Sequence, residues 1–200
     1  MHLYKKQYYH SEKNRLITVL EFFGQTRIYT GGYEQTGPYV THLWRDALAH
    51  LSSDHPITHI LVVGLGGGGS IQYIQKKFVK ATLTCIEWDP VMVAIAKKLH
   101  LYNNEPTILI GDVFEIIPHY QKQFDLILFD AFFGATPEPR LEDIGFCLLI
   151  RNALSPTGKL IINVSRTTSL ISTLSKCMLL NETWTYKNNT LALFSKTENT

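Results

Sequence analysis

The chain has 200 residues, of which 45% are hydrophobic and 18% are charged. This size and composition predict one globular domain and exclude a disordered, collagen-like or coiled-coil protein. Nineteen Lys and Arg residues against seventeen Asp and Glu residues give a formal net charge of +2. That balance argues against a protein that binds nucleic acid through its charge.

The cysteines and the N-terminal residues bear on the compartment of the protein. Cys85, Cys147 and Cys177 show neither CxxC nor Cys/His spacing, so we expect buried free thiols and neither a disulfide framework nor a metal site. The N-terminal residues contain no apolar run of the signal-sequence type, and a run of about 18 apolar residues occurs nowhere in the chain. We therefore expect a cytoplasmic protein that does not span a membrane.

The N-terminal quarter of the chain predicts a small β-hairpin followed by a helix. Residues 16–30 predict two short strands around Phe23-Gly24-Gln25, and apolar residues then recur at helical spacing from Tyr39 to about Leu51. Residues 1–15 show no clear period and receive no assignment. We expect residues 1–55 to form a cap that does not fold independently of the domain formed by residues 56–200.

From residue 56 onward, strands and helices alternate. The predicted strands are 59–63, 81–86, 107–110, 124–129, 159–164, 183–186 and 191–194, and the predicted helices are 70–78, 90–100, 113–120, 141–154 and 168–180. Strands nearly continuous in Val, Ile and Leu are typical of a parallel sheet with helices on both faces. The last two strands are joined by a link too short for a parallel crossover, so one antiparallel strand closes the sheet. The predicted fold is a Rossmann-like, doubly wound α/β domain.

In an open parallel sheet, ligands bind beyond the carboxyl ends of the strands. The segment Gly64-Leu65-Gly66-Gly67-Gly68-Gly69 follows the first parallel strand, and its five glycines exceed what a tight turn requires. Without side chains, the backbone of such a loop can approach a ligand closely. Its glycines match both the GxGxxG pattern of dinucleotide-binding proteins and the GxGxG pattern of S-adenosylmethionine (AdoMet) enzymes, so the loop alone leaves the ligand open.

Two acidic residues at strand ends are candidates for contacts with a nucleoside. Glu87 lies nineteen residues beyond Gly68, which is the spacing at which an acid binds a ribose diol; the alternative is an exposed acid at a strand end. Asp112 could accept a hydrogen bond from an adenine amine or cap the next helix. Trp88 could form an apolar wall for the base or belong to the core. The predicted cofactor-binding residues are Gly64, Gly66, Gly68, Glu87, Trp88, Asp112 and Val113.

Together these segments resemble a known family. The series ILVVGLGGGGSIQYI, CIEWDPVMVAIAKK, ILIGDVFEII, FDLILFDAF and GKLIINV, in that order, is similar to the class I AdoMet-dependent methyltransferase superfamily. The Glu87-Trp88-Asp89-Pro90 segment is similar to the Glu-hydrophobic-Asp-Pro motif of its spermidine synthase-like branch. The resemblance covers about residues 57–195. It implies a seven-stranded sheet of order 3-2-1-4-5-7-6 with strand 7 antiparallel, and AdoMet or decarboxylated AdoMet as cofactor.

The sequence departs from the aminopropyltransferases of that branch at two motifs. Their Asp-x-x-Asp segment is Asp130-Ala131-Phe132-Phe133 here, and their Tyr-His-Glu is Tyr39-Val40-Thr41. A polyamine carries ammonium groups that need carboxylate partners when they lose water. The departures therefore favour methyl transfer to a small, less charged acceptor over polyamine synthesis.

We predict Asp130 as the residue that orients or deprotonates the acceptor, with cofactor binding or a loop cap as the alternative. The predicted acceptor-side residues are Gln35, Tyr39, His42, Phe132 and Phe133. Three other functions stay open: aminopropyl transfer, nucleoside binding without catalysis, and an NAD(P)-dependent oxidoreductase, for which 200 residues show no second half. The expected partner is a small molecule, no nucleic acid, membrane or metal partner is expected, and a homodimer stays among the oligomeric alternatives.

Overall fold

The computed structural model describes residues 4–52, 55–130, 139–165 and 169–196, except for the side chains of residues 139 and 165. Its N-terminal part is a four-stranded antiparallel sheet of order β1-β2-β3-β4. The strands are β1 (Tyr4–Ser11), β2 (Arg15–Phe22), β3 (Gln25–Thr30) and β4 (Tyr33–Thr36). The predicted hairpin is confirmed as β2 and β3, but the sheet is larger than predicted.

Two tight turns connect β2, β3 and β4. Phe23 and Gly24 have φ values of 46° and 76°, and Gly31 and Gly32 have 54° and 85°, which is the conformation that two-residue hairpin turns require. The Gly31-Gly32 pair therefore joins β3 to β4. Every side chain of β1 is exposed or partly exposed. Its sequence therefore lacks the alternation of apolar and polar residues that indicates a half-buried strand.

The second sheet has seven strands in the order β7-β6-β5-β8-β9-β11-β10. These strands are β5 (His59–Val63), β6 (Thr82–Glu87), β7 (Thr107–Ile110), β8 (Phe124–Phe129), β9 (Leu154–Ser165), β10 (Leu179–Tyr186) and β11 (Asn189–Ser195). β5 to β9 are parallel, and β11 is antiparallel to both of its neighbours. In order of appearance this is 3-2-1-4-5-7-6, so the predicted topology is confirmed.

The described helices are α1 (Pro38–Ala49), α2 (Ile71–Lys77), α3 (Pro90–Lys98), α4 (Val113–Ile116), α5 (Ile144–Ala153) and α6 (Leu170–Leu174). All are shorter than predicted, and α4, α5 and α6 are shorter by four residues or more. Pro118 cannot supply a backbone N–H, so the end of the predicted helix 113–120 is a 3-10 turn, Ile117–His119. A 3-10 turn, Pro139–Glu142, likewise precedes α5. α6 ends at Leu174 because the chain already enters β10 at Leu179.

The core lies on both faces of the seven-stranded sheet. Along β5, Leu61 and Val63 join a cluster with residues of α5 and α6, whereas Ile60 and Val62 join a cluster with residues of α1, α2 and α3. A third cluster packs the N-terminal sheet against α3. Its buried members are Ile17, Val19, Ile28, Met92 and Ile95.

The N-terminal sheet and α1 therefore share apolar contacts with the rest of the protein, while the boundary near residue 55 stays a prediction. Within the described ranges, no helix has the length and apolarity that crossing a membrane requires.

Candidate functional site

A cavity opens beyond the carboxyl ends of β5, β6, β7 and β8. Its lining residues are Asn14, Gln35, Val40, Val63, Gly64, Leu65, Gly66, Ser70, Ile86, Glu87, Trp88, Met92, Gly111, Asp112, Val113 and Asp130. Six of the seven predicted cofactor-binding residues line it, together with Gln35 and Asp130. The exception is Gly68, whose Cα faces the ring of Tyr102.

The glycine loop is shaped both by the cavity and by the N-terminal sheet. Gly64 and Gly66 have φ values of 90° and 53°, which L side chains rarely adopt. A Cβ at Gly66 would also lie 2.8 Å from the carbonyl oxygen of Gln35 in β4. At Gly67, a Cβ would approach Thr36 Oγ1 to 2.6 Å. Part of the glycine run is therefore explained by close packing against β4, a cause that the sequence alone did not reveal.

Glu87 connects the glycine loop to the end of β6. Its Oε2 accepts a hydrogen bond from the Gly66 backbone N–H at 2.9 Å, and its Oε1 accepts one from Asp89 N–H at 3.0 Å. Only 6% of the residue is exposed, so the alternative of an exposed acid is wrong. Burial raises the pKa of Glu87 to about 7 although the backbone donors act in the opposite direction.

Asp112 and Trp88 flank this acid in the cavity. Asp112 Oδ1 caps α4 by accepting from Phe114 N–H at 3.0 Å, and Oδ2 accepts from Arg140 Nη1 at 3.0 Å. The helix-cap alternative is therefore present, and the adenine contact stays a prediction. Trp88 is partly exposed instead of belonging to the core, and Lys13 Nζ lies 4.6 Å from its ring centroid.

The turn between β1 and β2 closes one side of the cavity through Asp89. This fully buried carboxylate accepts from Ser11 Oγ at 2.5 Å, from Asn14 Nδ2 at 2.6 Å and from Val91 N–H at 2.9 Å. The last of these bonds caps α3, as expected for Asp before a first-turn proline. Asn14 was not predicted, because residues 1–15 carry no pattern that places them near residue 89.

Asp130 follows β8 and stands across the cavity from Glu87's strand. Its Oδ2 accepts from Trp44 Nε1 at 3.1 Å, and its Oδ1 accepts from Asn163 Nδ2 at 2.8 Å. Burial raises the pKa of Asp130, whereas these two donors lower it by stabilising the charged form.

Further polar groups continue from Asn163 toward α1. Asn163 Oδ1 accepts from Asn189 Nδ2 at 2.7 Å, and Asn189 Oδ1 accepts from the Tyr39 hydroxyl at 2.8 Å. Lys187 Nζ lies 5.0 Å from the Tyr39 ring centroid. Sequence reasoning missed Trp44, Asn163 and Asn189, since Trp44 and Asp130 are 86 positions apart in the chain.

The structure brings some of the predicted acceptor-side residues to the cavity and leaves others away from it. Gln35 lines the cavity, and Tyr39 reaches Asp130 through the two asparagines. His42 is exposed on α1 and is not among the residues that line the cavity. Phe132 and Phe133 lie outside the described residues.

Residues 60–158 match the family model described as "Methyltransferase domain". The chain is 32% identical over 121 residues to a polyamine aminopropyltransferase of Chromobacterium violaceum, an alignment that covers 56% of this chain and 44% of that protein. The chain spans about half the length of the curated relatives it matches, or less.

Among solved structures, a probable spermidine synthase from Corynebacterium glutamicum aligns with a TM-score of 0.76 and 16% identity, over 98% of this chain and 82% of that one. Human methyltransferase-like protein 13 in complex with SAH (S-adenosylhomocysteine) aligns with a TM-score of 0.68 and 22% identity, over 80% of this chain and 82% of that one. Three observations point to the same kind of protein. They are the strand order, the glycine loop followed by Glu87, and the matched methyltransferase domain. Residues 60–158 thus match a methyltransferase domain, and the chain is similar to the class I AdoMet-dependent methyltransferase superfamily, with members of its spermidine synthase-like branch among the similar proteins.

Proposed function

We propose that this protein transfers the methyl group of AdoMet to a small acceptor that is not a polycation. The observation that carries the proposal is the hydrogen bond between Glu87 and Gly66 inside a single cavity. It brings the two predicted nucleoside-binding features to one place. The methyltransferase-domain match and the AdoMet-type ligands named for two similar structures, SAH and the analogue AdoDATO, support the cofactor class.

The cavity residues fit an adenosyl ligand. The Glu87 carboxylate has backbone donors at Gly66, Asp89 and Trp88. Because a carboxylate offers about four acceptor sites, one stays open to a ribose hydroxyl. The open backbone at Gly64 and Gly66 offers room along the loop, and the Trp88 ring offers an apolar surface for the base. Asp112 and Val113 lie farther along the same wall, where an adenine edge would reach them.

The acceptor side favours a neutral or anionic molecule. The polar groups that extend from Asp130 are the amides of Asn163 and Asn189. Beside Tyr39 lie one positive charge, Lys187, and one carboxylate, Glu34, which accepts from the Tyr39 backbone N–H at 2.8 Å. A diamine entering this region would need carboxylates to compensate its desolvated ammonium groups. Phe133, at the position of the second Asp of Asp-x-x-Asp, removes one such carboxylate from the sequence.

We propose that Asp130 acts on the acceptor. When bound, AdoMet would supply a sulfonium with an electrophilic methyl carbon, and the carbon–sulfur bond would break on transfer with its electron pair remaining on sulfur. Glu87 and the glycine loop orient the nucleoside, so that donor and acceptor meet in a fixed geometry. Asp130 accepts a hydrogen bond from the acceptor's N–H or O–H and takes that proton as the acceptor's lone pair forms the new bond to carbon. The proton then leaves Asp130 for solvent.

The test combines calorimetry with product analysis. We expect AdoMet to bind, NAD not to bind, and a panel of small amines, phenols and carboxylic acids to yield one product heavier by a methyl group in mass spectrometry. Asp130→Asn should keep AdoMet binding and lose transfer. Asp125→Asn changes a carboxylate at the opposite end of β8 and should keep transfer. Binding of NAD without AdoMet would overturn the proposal.

Aminopropyl transfer is the second candidate, because the 32% identical relative is named a polyamine aminopropyltransferase. It predicts tighter binding of decarboxylated AdoMet than of AdoMet, and an aminopropyl product with putrescine. Non-catalytic nucleoside binding predicts AdoMet binding that is unchanged in Asp130→Asn, with no product from any acceptor in the panel.

A further inference from the structure

The two oxygens of Asp130 each accept a hydrogen bond from a different part of the protein. Trp44 donates from the middle of α1, and Asn163 donates from β9. Trp44 is only 3% exposed and packs in the cluster between α1 and the sheet. An aliphatic or phenyl side chain would fill such a core position equally well, but only the indole brings a donor to Asp130.

In the side-chain hydrogen bonds that connect Tyr39 to Asp130, each residue donates to the next one toward Asp130. The Tyr39 hydroxyl donates to Asn189, Asn189 donates to Asn163, and Asn163 donates to Asp130. Neither an indole N–H nor an amide NH2 takes up a proton in the physiological range. Among the described residues, these neighbours therefore stabilise the ionised carboxylate and do not take up its proton, and the side of Asp130 that lines the cavity is open to an acceptor.

We propose that Trp44 is a positioning residue that, together with Asn163, holds Asp130 as an ionised hydrogen-bond acceptor turned toward the cavity. The proposal rests on the proposed function, in which Asp130 receives the acceptor's proton. It also restricts the acceptor, because the atom that meets Asp130 must carry an N–H or O–H. A tertiary amine or a thioether has no proton on its nucleophilic atom. Such an acceptor could not donate a hydrogen bond to the Asp130 carboxylate.

Trp184 provides a matched comparison within the same chain. Its Nε1 donates to Asp46 Oδ2 at 3.2 Å, so it makes the same kind of Trp–Asp bond away from the cavity. Substitution of either tryptophan by Phe keeps an aromatic ring and removes one indole donor. Trp44 is buried and Trp184 is only partly buried, so the two variants are compared by the titration of Asp130 and not by stability. A change in Asp130 is expected only for Trp44→Phe.

Other titratable groups near Asp130 are known from the described elements. Glu87 and Asp112 line the same cavity, and Tyr39 extends from α1. Glu34 of β4, Tyr186 of β10 and Lys187 in the following turn lie beside Tyr39. These groups are the same in Trp44→Phe and Trp184→Phe. A difference between the two variants therefore reports on the indole N–H and not on the remaining charges.

The experiment is an NMR titration of the ligand-free protein with 13C-labelled Asp carboxyl groups and 15N-labelled indoles. Asp130→Asn assigns the Asp130 signal, and the three tryptophans are assigned through their Phe variants. We expect Trp44→Phe to raise the midpoint of the Asp130 titration relative to wild type, and Trp184→Phe to leave it unchanged. An unchanged midpoint in a folded Trp44→Phe protein would overturn the proposal.

A second measurement covers the case in which Trp44→Phe does not fold. In the wild-type protein, the Trp44 indole signal should titrate with the Asp130 midpoint, and this titration should vanish in Asp130→Asn. An indole signal that is independent of Asp130 would overturn the proposal. Calorimetry with AdoMet separates this proposal from the proposed function: absence of AdoMet binding refutes the function, whereas the Trp44 titration tests the positioning role.

Discussion

Glu87 is a buried carboxyl group that accepts backbone hydrogen bonds and borders the cavity at the same time. Burial raises its pKa to about 7. A ribose diol donates to the ionised form, so AdoMet affinity should increase as the pH rises through about 7. We expect Glu87→Gln to weaken AdoMet binding about 10- to 100-fold and to remove this pH dependence, since bonds to a charged group are lost. Calorimetry on both sides of neutral pH measures the effect.

The stability of the ligand-free protein gives a control for the same group. Because the pKa of Glu87 rises from 4.5 to about 7 on folding, the native state binds more protons between these pH values. The contribution of Glu87 to stability is therefore present below pH 4.5 and is lost as the pH rises through about 7. Glu87→Gln should flatten this part of the urea-unfolding profile. A wild-type profile without this decrease, matched by that of Glu87→Gln, would contradict the assignment.

Asp89 joins the N-terminal turn to α3, and Asp143 serves as its comparison. Both side chains cap a helix, but only Asp89 also accepts hydrogen bonds from Ser11 and Asn14. We expect Asp143→Ala to lower the free energy of unfolding by about 1 kcal/mol, which is the loss of a cap. Asp89→Ala should cost about 2 to 4 kcal/mol, because it also leaves buried donors without a partner. Equal losses in urea unfolding would show that the turn is not held by Asp89.

At the scale of elements, β3 and β4 both pack against the glycine loop, through Ile28 and Thr36. A Cβ at Gly67 would lie 2.2 Å from Ile28 Cδ1, whereas a Cβ at Gly32 would meet no atom within 4 Å, although Gly32 has a φ of 85°. We expect Gly67→Ala to lower the free energy of unfolding by about 1 to 3 kcal/mol through overpacking. Gly32→Ala should cost about 1 to 2 kcal/mol through backbone strain.

The ligand dependence of these two glycine variants separates them further. Gly67→Ala displaces the loop that borders the cavity, so it should also weaken AdoMet binding, whereas Gly32→Ala should not. Thermal unfolding with and without AdoMet measures both effects. A Gly67→Ala protein with unchanged AdoMet affinity would show that the loop does not transmit its contact with β4 to the cavity.

The elements of the parallel sheet were predictable from sequence, and several others were not. β5 and β8 each end in four consecutive apolar residues, a pattern typical of strands in a sheet covered on both faces. β1 carries polar and aromatic residues that remain partly exposed, so no local pattern distinguishes it from a loop. The ends of α4 and α6 depend on Pro118 and on the chain entering β10, and a helical period does not indicate where it stops.

At the scale of the whole molecule, residues 1–55 contribute to the main core. Trp44 and Leu48 of α1 pack against the sheet, and Ile17 and Ile28 cover Met92 of α3. We expect a protein lacking residues 1–55 to be insoluble or to lack a cooperative thermal transition, because these apolar surfaces would be exposed. Far-UV circular dichroism and thermal melting measure this. A stable, cooperatively folding truncation would show that the N-terminal segment is dispensable for folding.

Part of the site was predictable from the sequence. The acidic residues at strand ends could be predicted, whereas their hydrogen-bond partners from distant parts of the chain could not. Glu87, Asp112 and Asp130 stand at strand ends, where the sheet topology itself brings them to one edge. Their partners do not share this property. Asn14 reaches Asp89 from 75 positions away, and Tyr39 reaches Asn189 across 150 positions. Such contacts depend on tertiary packing, so only the three-dimensional structure places them around the cavity.

A crystal structure of the protein with S-adenosylhomocysteine tests the central claim most directly. We expect the ribose hydroxyls within hydrogen-bond distance of the Glu87 carboxylate, the amino acid tail along Gly64 and Gly66, and the thioether sulfur facing the side of the cavity that holds Asp130. Electron density for the ligand at another place on the molecule, or a cavity that stays empty at saturating ligand, would contradict the assignment of this cavity as the donor site.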